Sequence, residues 1–400
     1  MTLMSAQIQF IDCQLSLIHI PLSIYPLVLQ PILRLLLLSD DVSNASTQNG
    51  HIPVPWAARH PFLNISVTPV ECSIVCLKEY AQKFFEPVVN ITNGSKDRIS
   101  ITSEDYTVVQ VDGEGLDAGQ RVLELTSPLA LAGVSIFFIT TYFSDYILVP
   151  VKSRDQVVSA LEDRGFAFER RGDSVFRTAH TYQQNQAHQH RPMSSTSSIE
   201  VPPQTPPPSN IAELQHRTFA LLQRQNISPH ADSTIRLVQC AGRKDDEASS
   251  VIRGRRANES HLHLSLIKCL IAQPRLLSLT LTATDSASVL LEERFLPHFS
   301  AANSPDGDDA LLGSKEDILI PITLDLRGLP LESTGIVCGV AGKLVGGTSG
   351  AGAASNGDAL PAVEMSYLST ARAGTVMVGE AELGRALEAL RGVENGITEE

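Results

Sequence analysis

The stretch Val134-Ser-Ile-Phe-Phe-Ile-Thr-Thr-Tyr-Phe-Ser-Asp-Tyr-Ile-Leu-Val-Pro150 decides the fold. An apolar, aromatic-rich run meets a short polar break, Tyr142 to Asp145, and a second apolar run follows. Two β-prone runs separated by a few turn residues read as a β-hairpin. Ser153 to Phe166 then reads as a helix. Ser153 and Gln156 stand at capping-box spacing, and Val157, Val158 and Leu161 share one face. The unit is therefore strand, turn, strand, helix.

The unit recurs. Without gaps, Thr140-Thr141 lies over Ser369-Thr370, and Ile147-Leu148-Val149 over Val376-Met377-Val378. Another copy has Leu276–Thr282 as its first strand and Val289-Leu290-Leu291 in its second. A weaker copy pairs Leu63–Val67 with Ile74-Val75-Cys76. Repeats so far apart are duplicated small domains and not solenoid turns. Ahead of each hairpin stands a further strand and helix. In the first copy these are Gln14–Ile20 and a helix opening near Pro26; in the second, Tyr106–Val111 and Arg121–Leu131. In the third they are Thr234–Cys240 and His261–Ala272; in the fourth, Ile318–Leu324 and Gly335–Leu344. A closing strand falls near Phe166–Arg170. The order βαββαβ is ferredoxin-like, an α+β fold whose helices cover one face of an antiparallel sheet.

Four domains are expected, at residues 10–95, 103–172, 230–300 and 315–393. Residues 183–210 run Gln-rich, then Ser-rich, then Pro-rich, and nothing in them builds a core, so they read as a disordered linker. Gly242–Glu259 reads as a charged insertion, Ser300–Lys315 as a loop, and Gly346–Leu360 as a Gly/Ala/Ser insertion.

Bulk composition narrows the function. A net charge of −13 argues against nucleic acid as a partner, because phosphate binding needs a basic footprint. Leu15–Leu38 is apolar, but Pro21, Pro26 and Pro31 interrupt it, which disfavours a membrane span. Six scattered cysteines suit a reducing compartment, and the Cys72–Cys76 pair has no second pair to complete a zinc site. His180, His188 and His190 lie in a polar tract without acids or thiols beside them. No catalytic motif stands out, so the chain reads as a binding module, not an enzyme, with no metal and no cofactor. A cytoplasmic location is expected.

A paired βαββαβ unit of this size looks like an ACT domain. More narrowly, the chain resembles the CASTOR family of cytosolic arginine sensors for TOR complex one. The resemblance rests on Ile32-Leu-Arg-Leu-Leu-Leu-Leu38, Ser103-Glu-Asp-Tyr-Thr-Val108, Val134-Ser-Ile136 with Thr141–Val149, and Gly335-Ile-Val337 with Val340-Ala-Gly342. It implies four ACT domains, with a free amino acid held between the second and the fourth. By position, Ser135 and Ile136 contact the ligand from one side, and Thr334, Gly335, Ile336, Thr370 and Gly374 from the other. Backbone N–H groups at a helix start suit the ligand carboxylate. Tyr142, Phe143 and Asp145 match the family's surface for a GATOR-type partner complex, and a second copy of the chain is a further candidate partner.

Two positions depart from the family. An acid that helps to hold arginine falls at Gly374, and another falls at Ser333, beside Glu332. A buried guanidinium without a carboxylate is costly. The ligand therefore stays open between arginine, another amino acid and none. The alternatives to a sensor are a ligand-free ACT scaffold and the regulatory subunit of an amino-acid biosynthetic enzyme such as aspartate kinase. Every proposed contact also has an ordinary reading: small strand residue for Ser135, helix packing for Gly335, β-former for Thr370, turn residues for Tyr142 and Asp145.

Overall fold

A computed structural model describes residues 7–37, 56, 59–92, 97–112, 118–168, 208–243, 252–300, 309–346 and 362–391. The expected linker lies outside these residues except at its end, as do the three histidines beside it and nearly all of the Gly346–Leu360 insertion. The first group of elements, unit 1, is β1 (Gln7–Ile20), α1 (Tyr25–Leu37), β2 (Phe62–Val67), β3 (Cys72–Leu77), α2 (Lys78–Tyr80) running through a π-helical turn into α3 (Glu86–Thr92), and β4 (Ser100–Ile101). Unit 2 is β5 (Tyr106–Asp112), α4 (Ala118–Leu131), β6 (Phe137–Thr140), β7 (Asp145–Pro150), α5 (Arg154–Glu162) and β8 (Ala167–Phe168). A helix α6 (Ile211–Arg224) and a short β9 (His230–Ala231) follow. Unit 3 is β10 (Leu237–Gly242), α7 (Ile252–Ile271), β11 (Leu277–Thr282), β12 (Ser288–Glu292), a 3-10 turn and β13 (Leu311–Leu312). Unit 4 is β14 (Leu319–Asp325), α8 (Ile336–Gly346), β15 (Met365–Ser369), β16 (Ala373–Gly379) and α9 (Leu383–Arg391).

All four central hairpins turn on a threonine. The backbone N–H three residues on donates to its hydroxyl: Glu71 to Thr68 at 3.2 Å, Ser144 to Thr141 at 3.2 Å, Asp285 to Thr282 at 3.0 Å and Ala373 to Thr370 at 3.2 Å. A hydroxyl that bonds its own turn fixes the loop and, through it, the register of the hairpin. The polar break of unit 2 is accordingly Thr141–Ser144, and Asp145 belongs to β7.

The strands do not form separate open sheets. Twelve of them close into one ring, in the order β10-β12-β11-β2-β3-β1-β5-β7-β6-β15-β16-β14, and β14 returns to β10 through Leu237↔Leu319. The units therefore follow one another around the ring as 3, 1, 2, 4. The sequence led us to expect one helix-covered face and one open face. The second face is instead buried inside the ring, which is why β2, β7 and β11 are buried at every position. Alternate residues such as Leu148, Tyr146, Leu290, Leu368 and Met377 point into this interior, while Ile147, Val149, Val289, Leu291 and Val376 meet the helices. Period-two alternation cannot announce such a sheet when both of its faces are buried.

Strand β1 starts at Gln7, not at Gln14. Its first half pairs with β5 of unit 2, and its second half pairs with β3 of unit 1 after an irregularity between Ile11 and Leu15. The polar residues Gln7, Gln9, Asp12 and Gln14 conceal this early half. The second half of the chain repeats the device in two pieces, because β9 pairs with β14 of unit 4 and β10 with β12 of unit 3. Helix α7 begins at Ile252, inside the expected charged insertion. Helix α6 was not anticipated. Asn210 caps it by accepting from Glu213 N at 2.9 Å, and Leu214, Thr218 and Leu222 are buried. Strand β8 pairs in parallel with β1. All six cysteines are free. Among the described residues no helix is long and apolar enough to cross a membrane, and no cluster of side chains is placed to hold a metal.

Candidate functional site at the junction of units 2 and 4

The two edge-to-edge junctions of the ring differ. Between units 3 and 1 the ladder runs unbroken from Leu277↔Val67 to Thr282↔Phe62. Between units 2 and 4 only Leu368↔Ile139 pairs. Hydroxyls replace the missing ladder there: Phe138 N donates to Ser369 Oγ at 2.9 Å, and Tyr367 N to Thr140 Oγ1 at 3.1 Å. Interposed side chains hold the strands apart, and a cavity of about 50 Å³ opens beside them.

The cavity gathers several of the expected residues. Ile136, Gly335, Ile336, Thr370 and Gly374 line it. Ser135 does not; its hydroxyl donates to the Leu331 carbonyl at 3.0 Å and ties β6 to the loop before α8. Thr334 lies in that loop, half-buried and outside the lining. The first turn of α8, Ile336 to Cys338, forms one wall. First-turn N–H groups lack intrahelical partners, which suits an incoming carboxylate.

Gly335 has φ +81°, a left-handed conformation that favours glycine. It also packs closely: a Cβ there would sit 2.7 Å from Leu214 of α6, and one at Gly339 would sit 2.7 Å from Thr218. The small residues of α8 thus admit α6, a packing role independent of any ligand. The Thr370 hydroxyl is already engaged, donating to Glu71 Oε1 at 2.7 Å. Glu71 is fully buried and also takes the Arg372 N–H and His19 Nδ1. It belongs to the threonine turn of unit 1, so it fastens units 1 and 4 across the ring. Nothing in the sequence marked it except its place at the end of that turn.

No carboxylate lines the cavity. Glu332 and Glu364 are exposed, and the Ser333 hydroxyl donates to Pro330 O at 2.7 Å. At Gly374, where the sequence resemblance implies an acid, a Cβ would lie 2.5 Å from Tyr367 Oη. Burial pushes the Tyr367 phenol far above its usual range, and its hydroxyl has no hydrogen-bond partner among the described residues. Thr126 and Ser369 add hydroxyls to the lining, and Val134, Phe137, Leu326 and Leu329 are among its apolar walls.

The expected partner surface divides. Tyr142 and Phe143 are 41% and 49% exposed, with their rings edge-to-face at 4.9 Å. Asp145 is buried and does not reach that surface. It accepts from Arg121 Nε at 2.5 Å, while its other oxygen is unpaired. Burial pushes its carboxyl up, and Arg121 opposes that shift. The turns of units 2 and 3 also meet here: Tyr142 N donates to Ser288 Oγ at 2.9 Å, and the Tyr146 hydroxyl to Asp285 at 2.7 Å. The first contact repeats that of Ala371 N with Ser73 Oγ at 3.3 Å between units 4 and 1, so the two halves of the chain clasp each other reciprocally.

The comparisons fit this geometry at the level of one unit. Residues 101–163 match the ACT domain family. This segment carries β5, α4, β6 and β7, and its α4, the loop after it and the start of β6 supply one side of the cavity. The ACT domain is typically an amino-acid-binding regulatory module. No curated protein sequence matches the chain. Among solved structures, an aspartate kinase from Synechocystis aligns over 98% of this chain and 57% of its own at 10% identity, with a TM-score of 0.31. This chain therefore spans little more than half the length of that enzyme. Protein Atu0741 from Agrobacterium tumefaciens aligns over 42% of this chain and 98% of its own at 16% identity and a TM-score of 0.25. The ligand-free regulatory subunit of aspartate kinase from Thermus thermophilus aligns over 38% and 95% at 13% identity and a TM-score of 0.24. At TM-scores this low the likenesses carry no argument about function.

Proposed function

We propose that the chain is a cytoplasmic, non-enzymatic regulatory protein of four ACT-type units, which reads a free amino acid at the junction of units 2 and 4. The observation that carries this reading is the broken ladder there, one strand of which, β6, lies inside the segment that matches an ACT domain. The junction is closed as it stands: about 50 Å³ holds water but no amino acid. Binding therefore selects a wider arrangement of unit 4, and a ligand shifts an equilibrium only by its preference for one state over the other. Unit 4 is suited to such movement, because the backbone ladders of β6·β15 and β10·β14 each have a single residue pair. The exposed Tyr142–Phe143 turn, between the junction and unit 3, is the surface whose presentation changes. In the finer form of the reading, that surface meets a GATOR-type complex and the output is TOR complex one signalling.

The cavity favours an uncharged amino acid over arginine, since its walls offer hydroxyls and helix-start N–H groups but no carboxylate. Thermal shift against the twenty amino acids should find a stabilising ligand whose effect is lost in Ile136→Trp. A uniform lack of response at millimolar concentration refutes the sensor reading. That outcome would favour a ligand-free scaffold, which the small cavity and the Tyr367 phenol standing at the family's acid position also support. A pull-down through Tyr142 and Phe143 would then be indifferent to added amino acids.

A further inference from the structure

The other edge-to-edge junction carries a larger cleft, of about 310 Å³, close to the lower end of the roughly 300–1,000 Å³ usual for ligand pockets. It is assembled from the same three kinds of part as the first cavity. Unit 3 supplies the loop from helix to strand, Gln273 to Arg275, where unit 2 supplies Val134 and Ile136. Unit 1 supplies the loop from strand to helix, Leu22 and Tyr25, and a threonine turn at Thr68, where unit 4 supplies Ile336 and Thr370. The connection between β9 and β10, with Asp232 and Ile235, closes a further side.

The floor is apolar and the rim is not. Leu22, Tyr25, Val67, Pro69, Ile235 and Pro274 present carbon surface. Arg275 is held rigidly at the rim: its guanidinium donates to Thr234 O at 2.8 Å, Thr234 Oγ1 at 2.7 Å and Glu292 Oε2 at 3.3 Å, and it lies 3.6 Å from Asp232. Asp232 accepts from Thr234 N at 2.9 Å and Thr234 Oγ1 at 2.6 Å, which fixes the carboxylate beside the cleft. The side chains of His230 and Gln273 have no hydrogen-bond partner among the described residues. Gln273 has φ +52°, the left-handed conformation that ends α7 as Gly133, at φ +73°, ends α4, and it sets the loop that leads to Arg275.

We infer that this cleft is a second ligand site, and that it takes a free α-amino acid with an apolar side chain. The side chain lies on the apolar floor. The ammonium group faces Asp232, and the carboxylate faces His230 and Gln273. A cationic side chain such as that of arginine would meet Arg275 and is disfavoured. The site rests on the geometry alone; the choice of an amino acid as ligand rests also on the regulatory reading above.

Calorimetric titration of the full chain with L-leucine, L-phenylalanine, L-arginine and glycine tests the inference, with variants at both junctions. Leu22→Trp plugs the cleft from a position 37% exposed, so folding tolerates it. His230→Ala, at an exposed position, removes a contact without filling space. The expected result is saturable binding of leucine or phenylalanine, weakened at least tenfold by Leu22→Trp and several-fold by His230→Ala, and unchanged by Ile136→Trp. Binding that survives Leu22→Trp but is lost in Ile136→Trp overturns the second site and leaves the first standing. No binding of any of the four compounds at millimolar concentration overturns the second site, and the twenty-amino-acid screen of the first junction then decides that reading separately.

Discussion

Glu71→Ala tests whether the ring is fastened across its middle. The Glu71 carboxylate is fully buried, at the meeting of the threonine turns of units 1 and 4. It accepts from Thr370 Oγ1 at 2.7 Å, from Arg372 N and from His19 Nδ1. Truncation has unequal effects on the three donors. The Arg372 N–H loses its partner in a half-buried turn, which costs about 1–3 kcal/mol. The charge-assisted bond from Thr370 is worth about 1.5–3 kcal/mol, but this hydroxyl keeps the Ala373 carbonyl at 3.3 Å and recovers part of it. The His19 side chain is 18% exposed and turns to water, so its loss contributes little. The sum is about 3 kcal/mol, read as a lower midpoint in urea unfolding followed by circular dichroism. Glu71→Gln keeps one acceptor and should cost about half as much. A double-mutant cycle with Thr370→Val isolates the clasp, with an expected coupling of at least about 1 kcal/mol. A Glu71→Ala cost below about 0.5 kcal/mol, or strict additivity with Thr370→Val, refutes the clasp.

Three further outcomes are expected. Burial lowers the His60 imidazole from its usual 6.5 to about 4, against the Leu36 carbonyl that favours the charged form. The unfolded chain then binds the extra proton between these values, so His60 contributes stability that is complete above pH 6.5 and drains away toward pH 4, by about 3 kcal/mol in all. Urea midpoints measured from pH 7 to 4.5 should fall, and His60→Gln should flatten the slope. Gly339→Ala adds a Cβ 2.7 Å from Thr218, so despite the better helix propensity of alanine it should destabilise by about 1–3 kcal/mol and speed proteolysis of α6. Arg121→Ala strands the buried Asp145 and should cost about 3–5 kcal/mol in the same unfolding assay, while Arg121→Ala combined with Asp145→Asn recovers most of the loss.

Local signals carried much of the fold. The hairpins and three of the four helices that precede them stand close to where periodicity placed them. What escaped is what depends on partners distant in sequence. The polar start of β1 looks like a loop until β5 covers it, and the charged start of α7 looks like an insertion. Helix α6 is hidden by the Pro-rich tract that leads into it, although Asn210 and Glu213 carry an N-cap signal. Ring closure was not legible, since the interior-facing Asn64, Ser66, Ser278 and Thr280 read as solvent-facing until they bond one another across the seam. At the candidate site, positional carry-over found Ile136, Gly335, Ile336, Thr370 and Gly374 on one cavity but assigned Asp145 to a surface it does not reach. Glu71, which engages the Thr370 hydroxyl, and Tyr367, which lines the cavity, act across the ring or across a turn, and no spacing along the chain announces them.

A closed sheet hides every strand edge, and exposed edges are what lead β-proteins to pair with one another. Here the concealment is uneven, because the backbone ladder joins unit 4 to each of its neighbours in the ring by a single residue pair. If it swings out, the edges of β6 and β15 are uncovered together, each a ready template for the matching strand of another copy, while β9 and β13 still cover parts of β14 and β10. The freedom that would admit a ligand is therefore also a route to exchange of unit 4 between two chains, and ligand that holds the ring in one arrangement would guard against it.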